Sequence, residues 1–492
     1  MTVETDHRLN RVMILLREHI LFLAVVVIAG VVWMWVFNRA ATEFLANPNW
    51  PRAVWNGEGS VNLFGYSVSY HLEGWADYDY FYVSWSQQLL SGRMLYTDEF
   101  NTLVREGADY NVIYFFPPLY AYLCALGEII LPDIGIGLLV SVFGFLTSFP
   151  VYGIASYLSM NQRVGTVSAA MYLFNPIVLY HTAFEWLNPA PFVFFAVLSF
   201  YLLTKNRRIS GAIAMVVAAF FKQTAFFLAL PLIAVVLKKP PSSDEMTDED
   251  TEENDDSKKP PSDAFDFRGF VKIVGIVLVF AGALSLPYLF EPLNYIYYVF
   301  QRAGATLLTD LSRPPAINYP ITPAVVLIVL GAPEWLIQGV NLLTYYTILL
   351  IVGLLPLLAL MLLEVKDDRN LVGYWRRMFF LTLLLIFWVH VFSPRGIYKY
   401  YLVALVPFFS IVSTSGICRK DANPINVSAP MIALPFIFSL LVLVPTREFY
   451  LMFLFLIILG YILHRPFSVV YGSVTSQFRR IGSRITRSEM TN

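Results

Sequence analysis

Apolar runs near 20 residues in length recur along the whole chain, separated by polar segments of unequal length. They fill residues 20–38, 134–158, 164–180, 189–204, 270–290, 340–363, 378–391, 402–417, 430–444 and 451–464. The hydrocarbon core of a bilayer takes about 20 residues of helix, so this pattern predicts spanning helices. Backbone groups in lipid must bond within their own segment, which makes the runs helical. The alternating ten-residue strands of a membrane barrel are not visible.

Residues 209–237 form an apolar run too long for one comfortable span. As one helix it would measure about 43 Å. It would bury Lys222 at its centre, at a cost of at least about 2.5–3.5 kcal/mol. It would also put the Lys205, Arg207 and Arg208 cluster on the opposite side from Lys238 and Lys239. Two short helices meeting at Lys222, Gln223 and Thr224 remove both conflicts, so the run predicts a hairpin. With the hairpin, the positive-inside rule gives about 12 spans with both ends inside. Residues 118–131 break the parity. That segment would reach only roughly 21 Å as a helix, so it predicts a helix that dips in or lies shallow at the outer face. Residues 321–331 read the same way.

The predicted fold is an all-α polytopic membrane bundle. Residues 1–19 are a cytosolic N-terminus and residues 20–237 a first membrane module. Within that module, residues 39–116 form a long outer loop bearing juxtamembrane helices. Residues 238–267 are an acidic linker framed by two Lys-Lys-Pro-Pro-Ser sequences, too polar to bury a core. Residues 268–464 form a second module and residues 465–492 a basic cytosolic tail. A further outer loop at residues 291–320 contains Arg302, Asp310 and Arg313.

Composition agrees: 57% hydrophobic and 14% charged, against about 25% charged in soluble domains. A net charge of −1 gives nucleic acid no foothold. Cys124 and Cys418 lie in apolar runs and read as packing residues. Arg8, Arg11 and Arg17 precede the first run with no evident cleavage site, so that run reads as a retained span.

Candidate chemistry concentrates on the outer side. Asp77 and Asp79 lie beside Tyr78, Tyr80, Phe81 and Tyr82. In an extended stretch the two acids would share a face; in a helix they would not. Sharing a face, they could hold a divalent cation, or one could act as a base oriented by the other. Solvated loop acids and interfacial tyrosines are the plain alternative. Arg395 and Lys399 form an outer-face Arg-x-x-x-Lys, against the inward bias of basic residues. With Lys222 they could grip phosphate; the alternative is snorkelling to headgroups. Arg313 is a further cation. His181 and His390 are isolated at span ends, no metal-ligand spacing is evident, and P-loop and G-x-S-x-G sequences are absent.

The order of Asp77/Asp79, Tyr82, Gly92–Tyr96, Asp98 and Tyr114–Leu119 resembles the GT-C class of integral membrane glycosyltransferases, in particular the polyprenyl/dolichyl-phosphate-dependent mannosyltransferase-like branch. So do Glu185 to Asn188, Lys222–Gln223 and Ser393 to Tyr401, with the likeness extending over about residues 20–410. The resemblance implies transfer of a sugar, with mannose as the lean, from a polyprenyl-phosphate donor at the outer face of the cell membrane to an acceptor hydroxyl on a glycan or glycolipid. It implies inversion, with Asp79 or Asp77 as base. Arg395, Lys399, Lys222 and Arg313 would bind the donor phosphate. Glu185, Tyr82 and Asn188 would bind acceptor or sugar, although Glu185 equally suits a capped loop acid. The rival readings are a multi-span transporter or lipid-linked glycan flippase, and a non-catalytic scaffold or ligase of similar build. A transporter would place ionisable groups mid-membrane in repeated halves, whereas here the polar residues gather in outer loops.

Overall fold

Lys222 interrupts its apolar run as the hairpin requires. The helix Arg208–Phe221 ends where Lys222 turns extended (φ −152°, ψ 129°). A tighter 3-10 segment, Gln223–Leu228, then leads into the helix Ala229–Leu237. Pro231 falls in the first turn of that helix, where its missing N–H costs nothing. The far ends meet again: Nη1 of Arg208 donates to the Val236 carbonyl at 3.3 Å. Arg208 and Lys238 therefore share one side of the bundle, the basic side, and Lys222 points to the other, the loop side.

These relations come from a computed structural model that describes residues 2–52, 56–63, 66–75, 77–238, 265–302, 322–365, 371–396, 398–415 and 423–443. Most of the acidic linker, Arg313, the 451–464 run and the basic tail lie outside the described residues.

The chain enters through one long helix, Thr2–Ala46. The loop after it contains strands as well as helices, a departure from the all-α expectation. Asn56–Leu63 pairs antiparallel with Tyr66–Glu73, and Thr102–Arg105 with Ala108–Asn111. The second hairpin turns through Glu106 and Gly107 at φ 53° and 78°, the left-handed pair that matches strand twist. Between the hairpins, Tyr78–Val83 is a π-helical segment continued by the helix Ser84–Leu90.

The Pro118–Ile130 helix keeps both ends on the loop side. At its start the Tyr114 hydroxyl donates to the Pro117 carbonyl at 2.6 Å. Just past its end, the Tyr78 hydroxyl donates to the Asp133 carbonyl at 2.9 Å and Arg52 pairs with the Asp133 carboxylate at 3.2 Å. Glycines allow the fold-back: a Cβ on Gly135 would lie 2.0 Å from the Gly127 carbonyl oxygen.

From there Gly135–Ser159 crosses to the basic side. The return passes through Gln162–Leu173 and a π-helical Leu179–Phe184, and Pro189–Thr204 crosses back. After the Lys222 hairpin come Phe267–Ser285, a pair of helices bent by 63° (Glu334–Tyr345 and Ile348–Glu364), Leu371–Phe392, Val406–Ser415 and Ala429–Leu443. Four described helices are long and apolar enough to span alone, or five counting the bent pair as one. The expected twelve is not reached by that measure, because runs such as 164–180, 209–237 and 340–363 are broken by π, 3-10 or bent segments. The coarser statement holds: this is a largely helical, multi-span membrane protein.

Arg376 is fully buried on the basic side. Its Nε and Nη2 donate to the Leu158 carbonyl at 2.8 and 2.6 Å. They satisfy an acceptor that a helix end leaves open. Arg377 pairs with Glu364. Replacing Arg376 with alanine is expected to lower unfolding stability in detergent by about 1.5–3 kcal/mol, the range for bonds to a charged group. Arg377→Ala is expected to cost no more than about 1 kcal/mol. Equal losses would remove the capping role.

Candidate functional site: a cationic cavity at the helix break

Extended backbone at Lys222 turns its side chain across three other elements. Nζ donates to Oδ1 of Asn188 at 2.6 Å, and Nδ2 of Asn188 donates to the Tyr82 hydroxyl at 2.8 Å. The first helical hairpin, the Pro189 helix start and the loop-side π segment are thereby joined by one polar chain. Aromatic rings enclose the ammonium. It lies 4.2 Å from the Tyr401 ring centre, 5.5 Å from Tyr400, 5.7 Å from Phe192 and 5.8 Å from Phe116. Ring faces attract a desolvated cation. Asp77, half-buried, lies within electrostatic reach of Lys222, Tyr82 and Tyr400.

Beside Lys222 opens a cavity of about 300 Å³. Its polar lining includes Lys222, Gln223, Thr224, His390, Ser393 and Arg395; its apolar wall includes Phe226, Phe227, Val299, Phe300, Leu350 and Val389. The Arg395 guanidinium stacks 4.5 Å from the Phe115 ring centre. Its Nε is buried with no hydrogen-bond partner among the described residues. Gln223 Nε2 donates to the carbonyls of Phe115 and Val299 at 2.8 and 3.3 Å, leaving Oε1 buried and unpartnered among the described residues. His390 Nδ1 donates to the Ile386 carbonyl at 2.6 Å. A pocket with cations on one wall and phenylalanine on the other suits an amphiphile with an anionic head.

Several sequence-predicted residues converge here: Lys222, Arg395, Asn188, Tyr82 and Asp77. Others do not. Asp79 is 1% exposed and points away, accepting the Arg52 backbone N–H. The segment is helical, so residues two apart face different ways; the two aspartates form neither a metal pair nor an oriented base. Glu185 is buried against His181 in an i, i+4 pair and does not line the cavity. The Lys399 side chain and Arg313 fall outside the described residues. The sequence shows His390 only as an isolated histidine at a span end. Its signal was position: it ends the Leu371–Phe392 helix, one turn and a bend before Arg395.

This geometry bears on what the chain resembles. Residues 99–314 match a family model described as PIG-U, GPI transamidase subunit. The match takes in the Pro118 helix, the Lys222 hairpin and the helices up to Arg302, somewhat under half of the 492 residues. PIG-U is a multi-span membrane family related to GT-C-like folds, so the resemblance survives at the level of architecture. Among curated proteins, none matches the chain.

The PIG-U match corrects three expectations. By its description the family is a subunit of a transamidase, an apparatus that exchanges amides, and not a sugar transferase. Glycosyl transfer from polyprenyl or dolichyl phosphate, with an aspartate base and inversion, is overturned. With it goes the reading of this chain as a hexosyltransferase enzyme, since PIG-U is a non-catalytic type of subunit. The sugar-donor and hydroxyl-acceptor partners fall for the same reason, and protein partners replace them in that family.

Asp79 still offers a test of the loop-side geometry. Burial raises its carboxyl above the usual range, and Asp133 adds to this; the backbone N–H and charge of Arg52 pull the other way without offsetting it. A carboxyl with a raised folded-state pKa binds a proton more readily folded than unfolded. Stability therefore gains as pH falls through the raised pKa toward the unfolded value near about 4. Asp79→Asn is expected to remove this gain and to match or exceed wild-type stability at pH 7. Unfolding of both proteins between pH 4 and 8 checks it; a variant less stable at pH 7 would contradict the buried-acid account.

Proposed function

We propose that this chain is a non-catalytic subunit of a transamidase-type membrane complex, and that its loop-side cavity holds the phosphate-bearing headgroup of a GPI-type lipid for a catalytic partner. The match of residues 99–314 to the PIG-U subunit family carries this reading. The cavity supports it from the chemistry. Lys222 supplies a point charge and Arg395 a planar fork, the two ways side chains hold phosphate. An Arg395 Nε without a partner is a donor awaiting an acceptor. The phenylalanine and leucine wall gives the lipid chains a place to leave toward the bilayer. A volume of about 300 Å³ fits a headgroup and not a whole glycan, which suits a holding subunit.

In this proposal the complete bundle is a GT-C-like arrangement of about twelve spans. The loop side is non-cytosolic, as the basic residues on the opposite side suggest.

Deleting the chain tests the reading in cells. Lipid-anchored surface proteins are expected to fall while their glycolipid precursor accumulates with its full glycan. Re-expressing the full-length chain with Lys222→Met and Arg395→Met is expected to restore at most about a tenth of wild-type anchoring, given the worth of hydrogen bonds to charged groups. A precursor lacking a sugar in the deleted cells, or full anchoring by the double variant, would contradict it.

A further inference from the structure

We infer that a second, smaller pocket on the loop side takes a quaternary ammonium, the choline head of a bilayer phospholipid, with tyrosine rings as its floor and Glu291 at its mouth. The inference stands on its own residues and does not rest on the lipid-holding reading of the Lys222 cavity.

The pocket opens where the Phe267–Tyr288 span ends. Its lining includes Tyr96, Thr97, Tyr288, Glu291, Asn294 and Tyr295. The ring centres of Tyr96, Tyr288 and Tyr295 lie 5.1 to 5.5 Å from one another. Tyr96 is held there at φ 65°, a left-handed conformation that bulky side chains rarely adopt. The hydroxyls around the pocket are engaged with protein partners. Tyr96 donates to the Phe116 carbonyl at 2.8 Å, and Tyr288 shares a 2.6 Å bond with the Tyr122 hydroxyl. Tyr295 is within hydrogen-bonding reach of Ser285. Oγ1 of Thr97 donates to the Met94 carbonyl at 2.7 Å and accepts from the Phe100 N–H at 3.2 Å. Glu291 stands at the N-cap position of the Pro292–Ile296 helix without capping it, and accepts instead from Nδ2 of Asn294 at 2.8 Å. Among the described residues, Glu291 has no ion-pair partner. What the pocket turns to a ligand is mainly ring carbon and carboxylate oxygen.

That combination excludes most ligands. Glu291 repels an anion. A sugar would bring several hydroxyls to a wall whose own hydroxyls are already paired. A primary ammonium carries three N–H donors, more than Glu291 and the Asn294 amide oxygen readily satisfy on one side. A quaternary ammonium carries none, and aromatic rings attract it. Size agrees. A water takes about 10–15 Å³ of free volume, so the pocket's 60 Å³ or so holds roughly four or five heavy atoms, a trimethylammonium group and not a hexose. Position names the source. The adjoining span ends here, at the depth of the phospholipid heads. Phe290 and Leu293 beside the pocket are 85% and 80% exposed, side chains suited to the apolar edge of that layer.

The test uses the full-length protein in phosphatidylglycerol nanodiscs that also contain equal amounts of phosphatidylcholine and phosphatidylethanolamine with matched acyl chains. The two added lipids differ only in the methyl groups on nitrogen. Native mass spectrometry reads which of them stays on the protein. Wild type is expected to retain phosphatidylcholine about five-fold over phosphatidylethanolamine, the order of a ring–cation attraction. Tetramethylammonium chloride is expected to displace the retained phosphatidylcholine, and sodium chloride at the same concentration to leave it. Glu291→Gln and Tyr295→Leu are each expected to bring the two lipids to parity, while Tyr295→Phe, which keeps the ring, is expected to keep the preference. Glu291 is exposed, so its replacement leaves the packing intact and isolates the charge. Equal retention of the two lipids by wild type overturns the inference. So does a preference that survives Glu291→Gln and Tyr295→Leu, a loss that Tyr295→Phe shares, or displacement by sodium as readily as by tetramethylammonium. None of these outcomes bears on the Lys222 cavity, whose test uses other residues.

Discussion

One desolvated ammonium organises this molecule. Lys222 lies near the middle of a 29-residue apolar run, and a charge there is tolerated only with partners. The chain meets that demand by breaking the helix. The break turns the ammonium to the loop side, where an amide oxygen and four aromatic rings receive it. Those receivers come from distant parts of the chain: Phe116, Asn188 with Phe192, and Tyr400 with Tyr401. Satisfying one charge therefore fixes how the outer loop, the Pro189 helix and the late tyrosine-rich turn sit together, and the cavity is the space left beside that junction.

The two sides of the bundle are held by different means. On the loop side, tyrosine hydroxyls reach carbonyls between segments, as Tyr78 does to Asp133 and Tyr96 to Phe116 at 2.8 Å. Rings fill the space between them, Trp186 meeting both Phe44 and Tyr78. On the basic side, guanidinium groups close helix ends. Arg376 binds the Leu158 carbonyl and Arg208 the Val236 carbonyl. The Asp266 N–H adds a bond to the Leu237 carbonyl at 2.7 Å, which brings the two borders of the acidic linker together. Donors go where broken or ending helices leave carbonyls open.

Much of this was legible in the sequence. The hairpin followed from one lysine and two basic clusters, because the energy of a mid-span charge and the inward bias of lysine and arginine point the same way. The Pro118 helix is as short as its apolar run, and the chain folds back after it through Gly127 and Gly135. Asp77 and Asp79 were harder. Their spacing is informative only once the backbone is known, and a π-helical segment at 78–83 has no simple sequence signature. The hairpin strands at 102–111 did carry a signal in Glu106-Gly107, a two-residue turn of the kind that joins twisted strands. His390 was invisible as a site residue because its role depends on a tertiary neighbour, Lys222, some 168 positions earlier. The chemistry itself was misread through architecture. The matched family's relation to GT-C-like folds does not carry a sugar transferase's reaction, since function belongs to the site and not the scaffold.

The account stands or falls on the break at Lys222. With Cys124 and Cys418 replaced by serine, spin labels at Asn206→Cys and Leu237→Cys would report it directly by pulsed electron-electron distance measurement in nanodiscs. An unbroken helix sets those positions about 46 Å apart. The hairpin returns both to the basic side, and a separation well under half that value is the expected result. A distance near the unbroken length would contradict the placement of Lys222 and, with it, the cavity.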